Sequence, residues 1–177
     1  RSKTFGNRWV AAYELSKLIA TSQIPKEDTP WLVENLIDLH NSTEDLRTRK
    51  FIVIALGSIP SQKAIDFLGE VLEGSDAENK FHIVASLGNY TDQNFLIPED
   101  KLLNILKNSK DKTLIQATIL TLASHSVKSS KPSLVDFLND SQLKIRISAA
   151  LGLINFKADE ALPQLKEILE ATPKKWG

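Results

Sequence analysis

Residues 45–57 read DLRTRKFIVIALG, and residues 140–152 read DSQLKIRISAALG. In both, an Asp is followed four places on by a basic residue, Arg49 or Lys144, and eight places later by the Gly of a Leu-Gly pair. A repeated phrase constrains the fold strongly, because so short a segment cannot bury its apolar face alone and must stack on its copies. Aligned on Gly57, two more copies appear, with Gly88 in ENKFHIVASLG and Ala123 in KTLIQATILTLA, and the spacings up to Gly152 are 31, 35 and 29 residues. Leu56, Leu87, Leu122 and Leu151 stand just before this column, and Asp45, Asp76, Asp111 and Asp140 stand twelve before it. Eight before it are Arg49, Lys80, Ile115 and Lys144, so the third copy departs. A weaker copy lies upstream in TFGNRWVAAYELS, where Arg8, Leu15 and Ser16 fill the same columns and Thr4 takes the place of Asp.

Each copy is followed by a second amphipathic segment. Ala64, Ile65, Leu68, Val71 and Leu72 recur at steps of three and four, as do Ala161, Leu162, Leu165, Ile168 and Leu169, the spacing of one helix face. Shorter versions are Leu32, Val33, Leu36 and Leu39, then Leu102, Ile105 and Leu106, then Leu134, Phe137 and Leu138. Pro30, Pro98, Pro132 and Pro163 fall at or near the starts of these segments, where a missing N–H costs nothing. The unit is therefore a pair of helices, A then B. Phe51-Ile52-Val53-Ile54 taken alone reads as a buried strand. The matching columns His82-Ile83-Val84-Ala85 and Arg146-Ile147-Ser148-Ala149 do not, so the repeat predicts helix there as well.

The pattern Asp, basic residue, Ala-rich stretch, Leu-Gly, then a helix with Leu at every fourth position resembles the HEAT-like repeat of the bacterial phycobilisome-lyase type. Asp45–Leu72 and Asp140–Leu169 carry the resemblance most closely, and it extends from about Thr4 to Glu170. It implies an all-α armadillo-type α-solenoid: a single domain over residues 1–177, a right-handed α-α superhelix of about five helix pairs. The units are expected near 4–42, 43–74, 75–109, 110–139 and 140–171, with a tail at 172–177. Many unrelated activities sit on this scaffold, so the resemblance speaks to fold far more than to function. No Thr-Pro-Leu-His of ankyrin repeats occurs, and the Trp and Tyr positions of tetratricopeptide repeats are not filled.

Composition narrows the classes further. With 22 basic and 22 acidic residues the formal net charge is zero, which gives no overall pull toward nucleic acid or anionic lipid. No apolar run reaches the roughly 18 residues of a membrane-spanning helix. The absence of Cys removes disulfides and thiolate zinc sites. With no Met and Arg1 at its start, the chain is read as lacking its natural N-terminus. A cytoplasmic location is expected, with a periplasmic or exported one as the alternative.

The four aligned Asp invite a metal or catalytic reading. Helices one unit apart lie about 10 Å from each other, too far for their carboxylates to share an ion whose ligands sit about 2.0–2.6 Å away. Asp45, Asp76, Asp111 and Asp140 are instead read as N-caps worth about 1 kcal/mol each. Arg49, Lys80 and Lys144 are read as their ion partners, within a unit or from the next. His40, His82 and His125 are scattered, without the His-Glu pairs of iron-binding HEAT-repeat hydroxylases and without zinc spacing. His40 takes a column that is Leu elsewhere, at a helix end that favours a cation, and is expected as a cap rather than a ligand. No Gly-rich phosphate loop, Gly-x-Ser-x-Gly or Cys/His pair occurs. No catalytic set, cofactor or metal is therefore expected, and an enzyme is disfavoured.

Trp9 is expected to pack in the N-terminal cap, Trp31 opens the first B helix, and Trp176 lies in the tail; an exposed Trp is typical of binding hot spots. Over the five B segments acidic residues exceed basic by six, whereas over the A segments basic exceed acidic by seven, or three once the ladder Asp are included. The resemblance implies that B helices line a concave face, which would then carry Glu34, Asp38, Asp66, Glu70, Asp136 and Glu167 beside Trp31. Such a face repels nucleic acid and suits a basic peptide or protein surface. The expected function is a non-catalytic scaffold holding a protein segment there, with no membrane, nucleic-acid or small-molecule partner. The alternatives are an accessory of bilin attachment, a HEAT-like DNA glycosylase and a structural module of a longer protein.

Overall fold

The computed structural model describes residues 8–21, 24–90 and 94–171. All regular structure among them is helical, in the order α1 Arg8–Thr21, α2 Thr29–Ser42, α3 Leu46–Leu56, α4 Gln62–Leu72, α5 Ala77–Leu87, α6 Glu99–Asn108, α7 Lys112–Ser124, α8 Lys131–Phe137, α9 Leu143–Asn155 and α10 Leu162–Ala171. Odd numbers are A helices and even numbers are B helices. Phe51–Ile54 lies inside α3, so the repeat overrides the local strand propensity. Thr4 and Trp176 lie outside the described residues, as do the side chains of Ile168 and Leu169.

The chain divides into two compact units, Arg1–Lys101 and Leu102–Gly177, with the boundary inside α6. In the first unit α1 packs on α3 and α3 on α5, while α2 packs on α3 and α4, and α4 on α3 and α5. Its core holds Val33, Leu36, Ile52, Val53, Leu56, Ile65, Leu68, Leu72, Ile83 and Leu87, all essentially sealed from water. In the second unit α7 packs on α9, with α8 and α10 against α9. Leu102, Ile119, Leu122, Leu134, Ala149, Ala150 and Leu153 form that core.

The A helices approach closely through small residues. A Cβ added at Gly57 would overlap the Cβ and Oγ of Ser86 on α5. One added at Gly152 would lie 3.1 Å from Ala123 Cβ and 3.3 Å from Leu134 Cδ1. Space rather than backbone conformation selects glycine at position 57, since Gly57 has φ −64°. The neighbour it admits is the next A helix. Across this contact Ser86 Oγ donates to the Val53 carbonyl at 3.2 Å, and the buried Tyr90 hydroxyl donates to the Leu56 carbonyl.

Three ladder Asp cap helices. Asp45 accepts from Arg47 N (3.3 Å) and from the Thr48 hydroxyl (2.6 Å). Asp76 accepts from Asn79 N at 3.0 Å, and Asp111 from Thr113 N at 2.9 Å and Leu114 N at 3.2 Å. These donors hold the Asp45 and Asp76 carboxyls below the usual carboxylate range.

The fourth rung is displaced. The N-cap of α9 is Gln142, two residues beyond Asp140. Two residues are about 200° of helix rotation, so the burial pattern identifies the register. In α3 the buried positions are Thr48, Ile52, Val53, Ala55 and Leu56; counted from Gln142 the same positions are Ile145, Ala149, Ala150, Gly152 and Leu153, all buried. Leu151, aligned with Leu56 by the Leu-Gly pair, is half exposed. Asp140 instead accepts the N–H of Gln142 at 2.8 Å and pairs with Lys112 of α7, whose ammonium holds its carboxyl low.

The basic partners also differ from expectation. Arg49 reaches back six residues, its Nε donating to the Thr43 carbonyl at 2.7 Å, and Arg146 reaches back six to the Asp140 carbonyl at 3.0 Å. Arg146, not Lys144, is thus the counterpart of Arg49. Neither Lys80 nor Lys144 pairs with a carboxylate among the described residues. The forward ion pairs made by the A helices are Lys50–Glu78 (2.9 Å) and Lys112–Asp140.

Candidate protein-binding face

The acidic residues of the first unit sit on the outward side of its two B helices. Trp31, Glu34 and Asp38 follow at steps of three and four along α2, and Asp66 and Glu70 are four apart on α4, which sets each group in a stripe. All five are exposed, Trp31 to 65%. The inward faces are apolar: Val33 and Leu36 on α2, and Ala64, Ile65, Phe67, Leu68 and Leu72 on α4. Burial of that side forces the charged side outward.

Lys63 crosses from α4 to Glu34 at 2.7 Å and ties the two stripes together. Asp66 accepts from the neutral Gln62 amide at 2.8 Å, and that amide also donates to the Leu96 carbonyl at 2.8 Å. Asp38, Asp66 and Glu70 have no cationic partner among the described residues. Asp136 on α8 and Glu167 on α10 are likewise exposed, in the second unit.

The stripes end at an open cleft of about 470 Å³ between the C-terminal ends of α2 and α4. His40, Asn41, Glu70, Gly74 and Ser75 form its walls, with Arg49, Asp76 and Asn79 entering from α3 and the start of α5. Asn79 Nδ2 donates to Asp76 at 2.7 Å, which leaves its buried Oδ1 without a donor. The sequence singled out His40, Arg49, Glu70 and Asp76 one by one but missed the cleft they share. A guanidinium that bonds a loop carbonyl through Nε keeps its outer nitrogens for something else.

His40 does not act as a charged helix cap. It is 8% exposed and meets Phe67 edge-on at 5.1 Å between ring centres. Burial lowers its pKa, partly opposed by the hydrogen bond to Asn41 and aided, least of the three, by the Arg49 charge. A His whose pKa is lowered on folding stabilises fully above its ordinary value of 6.5, and that stability is lost as pH falls below it. His82 is shifted the same way by burial and Lys50. Urea midpoints should therefore fall between about pH 7.5 and 5.5, by no more than about 1.4 kcal/mol per pH unit per proton. His40→Leu, which restores the residue of the sibling repeats, should flatten part of that slope; an unchanged slope would exclude His40 as its source.

Trp9 is half-buried, stacked on Phe51 at 6.4 Å beneath the Arg47 guanidinium. Among the described residues no three His, Asp or Glu side chains gather as a metal site, and no helix is long and apolar enough to cross a membrane.

Stacked A/B helix pairs with a charged outer B face define a helical-repeat scaffold. Residues 99–176 match the family of HEAT repeats. The fold is similar to that in the complex of CpcE and CpcF of phycocyanin lyase from Nostoc sp. PCC7120, with TM-score 0.73 and 18% identity over 97% of this chain and 68% of that one. It is also similar to an engineered protein, with TM-score 0.60 and 19% identity over 97% of this chain and 86% of that one. No curated protein matches. The chain is thus a HEAT-like repeat protein in fold.

Proposed function

We propose that the chain is a non-catalytic scaffold whose outer α2/α4 face binds a basic segment of a partner protein. The observation that carries this reading is the set of exposed, cation-free carboxylates of Asp38, Asp66 and Glu70 beside an exposed Trp31. Trp31 supplies a rigid aromatic anchor at one end, and the carboxylates supply steering and register along the two helices. At the other end Glu70 borders the cleft, where a Lys or Arg side chain of the partner can lie against its carboxylate. In the second unit Asp136 and Glu167 are exposed carboxylates as well, although Lys131 balances the charge of α8. The likeness to a lyase that is itself a complex of CpcE and CpcF supports a protein partner.

The direct test is titration with a fluorescent peptide of alternating Lys, Arg and Gly against an Asp/Glu counterpart of equal length. Binding of the basic peptide alone, weakening steeply as salt shortens the screening length to about 8 Å at 0.15 M, is the expected result. Equal binding of both peptides, or none, would remove the acidic face from the account.

The same likeness favours a second reading, an accessory role in bilin attachment. It predicts a visible-absorbance shift when a free bilin is mixed with the chain, and no shift would end it.

A further inference from the structure

We propose that α9 seats a second copy of this chain, through an apolar stripe made of Leu143, Ile147, Leu151 and Ile154. This surface lies on the A helices of the second unit and is separate from the acidic B-helix face.

The stripe is defined by the stacking seen inside the chain. Counted from the N-cap, positions 1, 5, 8 and 12 of an A helix face the next A helix. In α7 these are Lys112, which pairs with Asp140, Gln116, which donates to Ser148 Oγ at 3.1 Å, and Ile119 and Ala123, which lie against Gly152. In α3 they are Leu46, Lys50, Val53 and Gly57; Lys50 pairs with Glu78, Val53 accepts from Ser86, and Gly57 lies against Ser86. In α9, counted from Gln142, they are Leu143, Ile147, Ala150 and Ile154. α9 is the last A helix of the described residues, and no described A helix covers Leu143, Ile147 and Ile154, although Ala150 among them is sealed within the core of the second unit.

The residues there are not those of an ordinary next-repeat contact. Position 5, which is Lys50 in α3 and Gln116 in α7, is Ile147 in α9, whereas position 1 is Leu in both α3 and α9 and Lys112 in α7. More telling is position 12, where the close approach requires Gly57 or Ala123 and α9 has Ile154. A helix stacked at the internal distance would collide with that side chain. The face is therefore built for a wider contact than the internal one, in which large side chains interdigitate.

With Leu151 added, the four side chains span about 80° of the helix at 100° per residue. Leu143, Leu151 and Ile154 are 50%, 48% and 47% exposed, and Leu120, at the position of Leu151 one repeat back, is 46% exposed. The stripe matches its own reverse. In an antiparallel pair Leu143 lies against Ile154 of the second copy, and Ile147 against Leu151 of the second copy. This is the self-complementarity of an isologous interface, and antiparallel helix dipoles favour it. A net charge of zero adds no repulsion between copies. So few half-exposed side chains offer less than the roughly 800 Å² per partner of a stable complex. The dimer is accordingly weak, with a dissociation constant on the order of 10 μM.

Sedimentation velocity over a dilution series from about 1 to 300 μM tests this. The wild-type mass should rise from 19.7 kDa toward twice that value. Leu151→Glu with Ile154→Glu, both surface positions, should stay at the monomer mass while keeping its helical circular dichroism. Leu18→Glu, on the exposed side of α1, should dimerise like wild type. A wild type that stays monomeric at the top of the series overturns the proposal even if the double variant does not fold. So does a folded double variant that still dimerises, or a Leu18→Glu variant that does not, which would mean a head-to-tail contact. Peptide binding at the acidic face is read separately and is unaffected by any of these results.

Discussion

Gly57→Ala should lower the stability of the first unit by about 2 kcal/mol, the cost of forcing a methyl into a closed contact. The new Cβ would overlap the Cβ and Oγ of Ser86, and the Ser86 Cα at 2.9 Å is backbone that cannot swing away. Either α5 shifts as a body or Ser86 leaves its bond to the Val53 carbonyl. The backbone of Gly57 is ordinary right-handed helix, so alanine suffers no conformational penalty there and the whole effect is contact. Two controls isolate it. Gly74→Ala meets nothing within 4 Å and should be neutral or slightly stabilising. Ser86→Gly in the Gly57→Ala background should recover part of the loss by removing two of the three clashing atoms. Thermal melts of the four proteins measure this, and equal melting of Gly57→Ala and Gly74→Ala would refute close A-helix stacking.

Asp66→Lys with Glu70→Lys should weaken binding of a basic peptide about 50-fold. Two reversals change the face by four unit charges, and each is worth about 0.6 kcal/mol against a cation about 7 Å away in a water-like dielectric. The sum of about 2.4 kcal/mol corresponds to that factor. Both residues are exposed and outside the core, so folding should be unaffected. The loss should shrink at high salt, because screening removes the same interaction. Reversal of Asp136, in the second unit, should cost the peptide less, since the Trp31 anchor and the cleft belong to the first.

The helices were legible because the apolar period of their buried faces survives in every copy, even through Phe51–Ile54. The caps at Asp45, Asp76 and Asp111 were legible because an Asp ahead of an apolar helix has few other uses. The register of the last copy was not. Leu151-Gly152 imitates Leu56-Gly57, and Asp140 with Lys144 imitates Asp45 with Arg49, two residues out of step. The buried set Ile145, Ala149, Ala150 and Leu153 carried the true register, because core contacts tolerate a 200° error far less than a surface dipeptide does. Gly152 therefore lies within α9, in contact with Ala123 and Leu134.

The acidic stripes could be read from sequence because charge on a B segment has only the outer side to go to. The cleft could not, because it arises where the ends of two B helices stand apart, with residues drawn from four helices. His40 was misread for a related reason. Its place at a helix end suggested a cation, but its column is a core column, and packing against Phe67 excludes the water a charge would need.

Hydrogen exchange read by mass spectrometry, with and without the basic peptide, tests the location of the binding face most directly. The account predicts slowed exchange in Thr29–Ser42 and Gln62–Leu72, with α3 and α5 unchanged beyond their first turns. Protection confined to the A helices, or spread evenly over the chain, would contradict it.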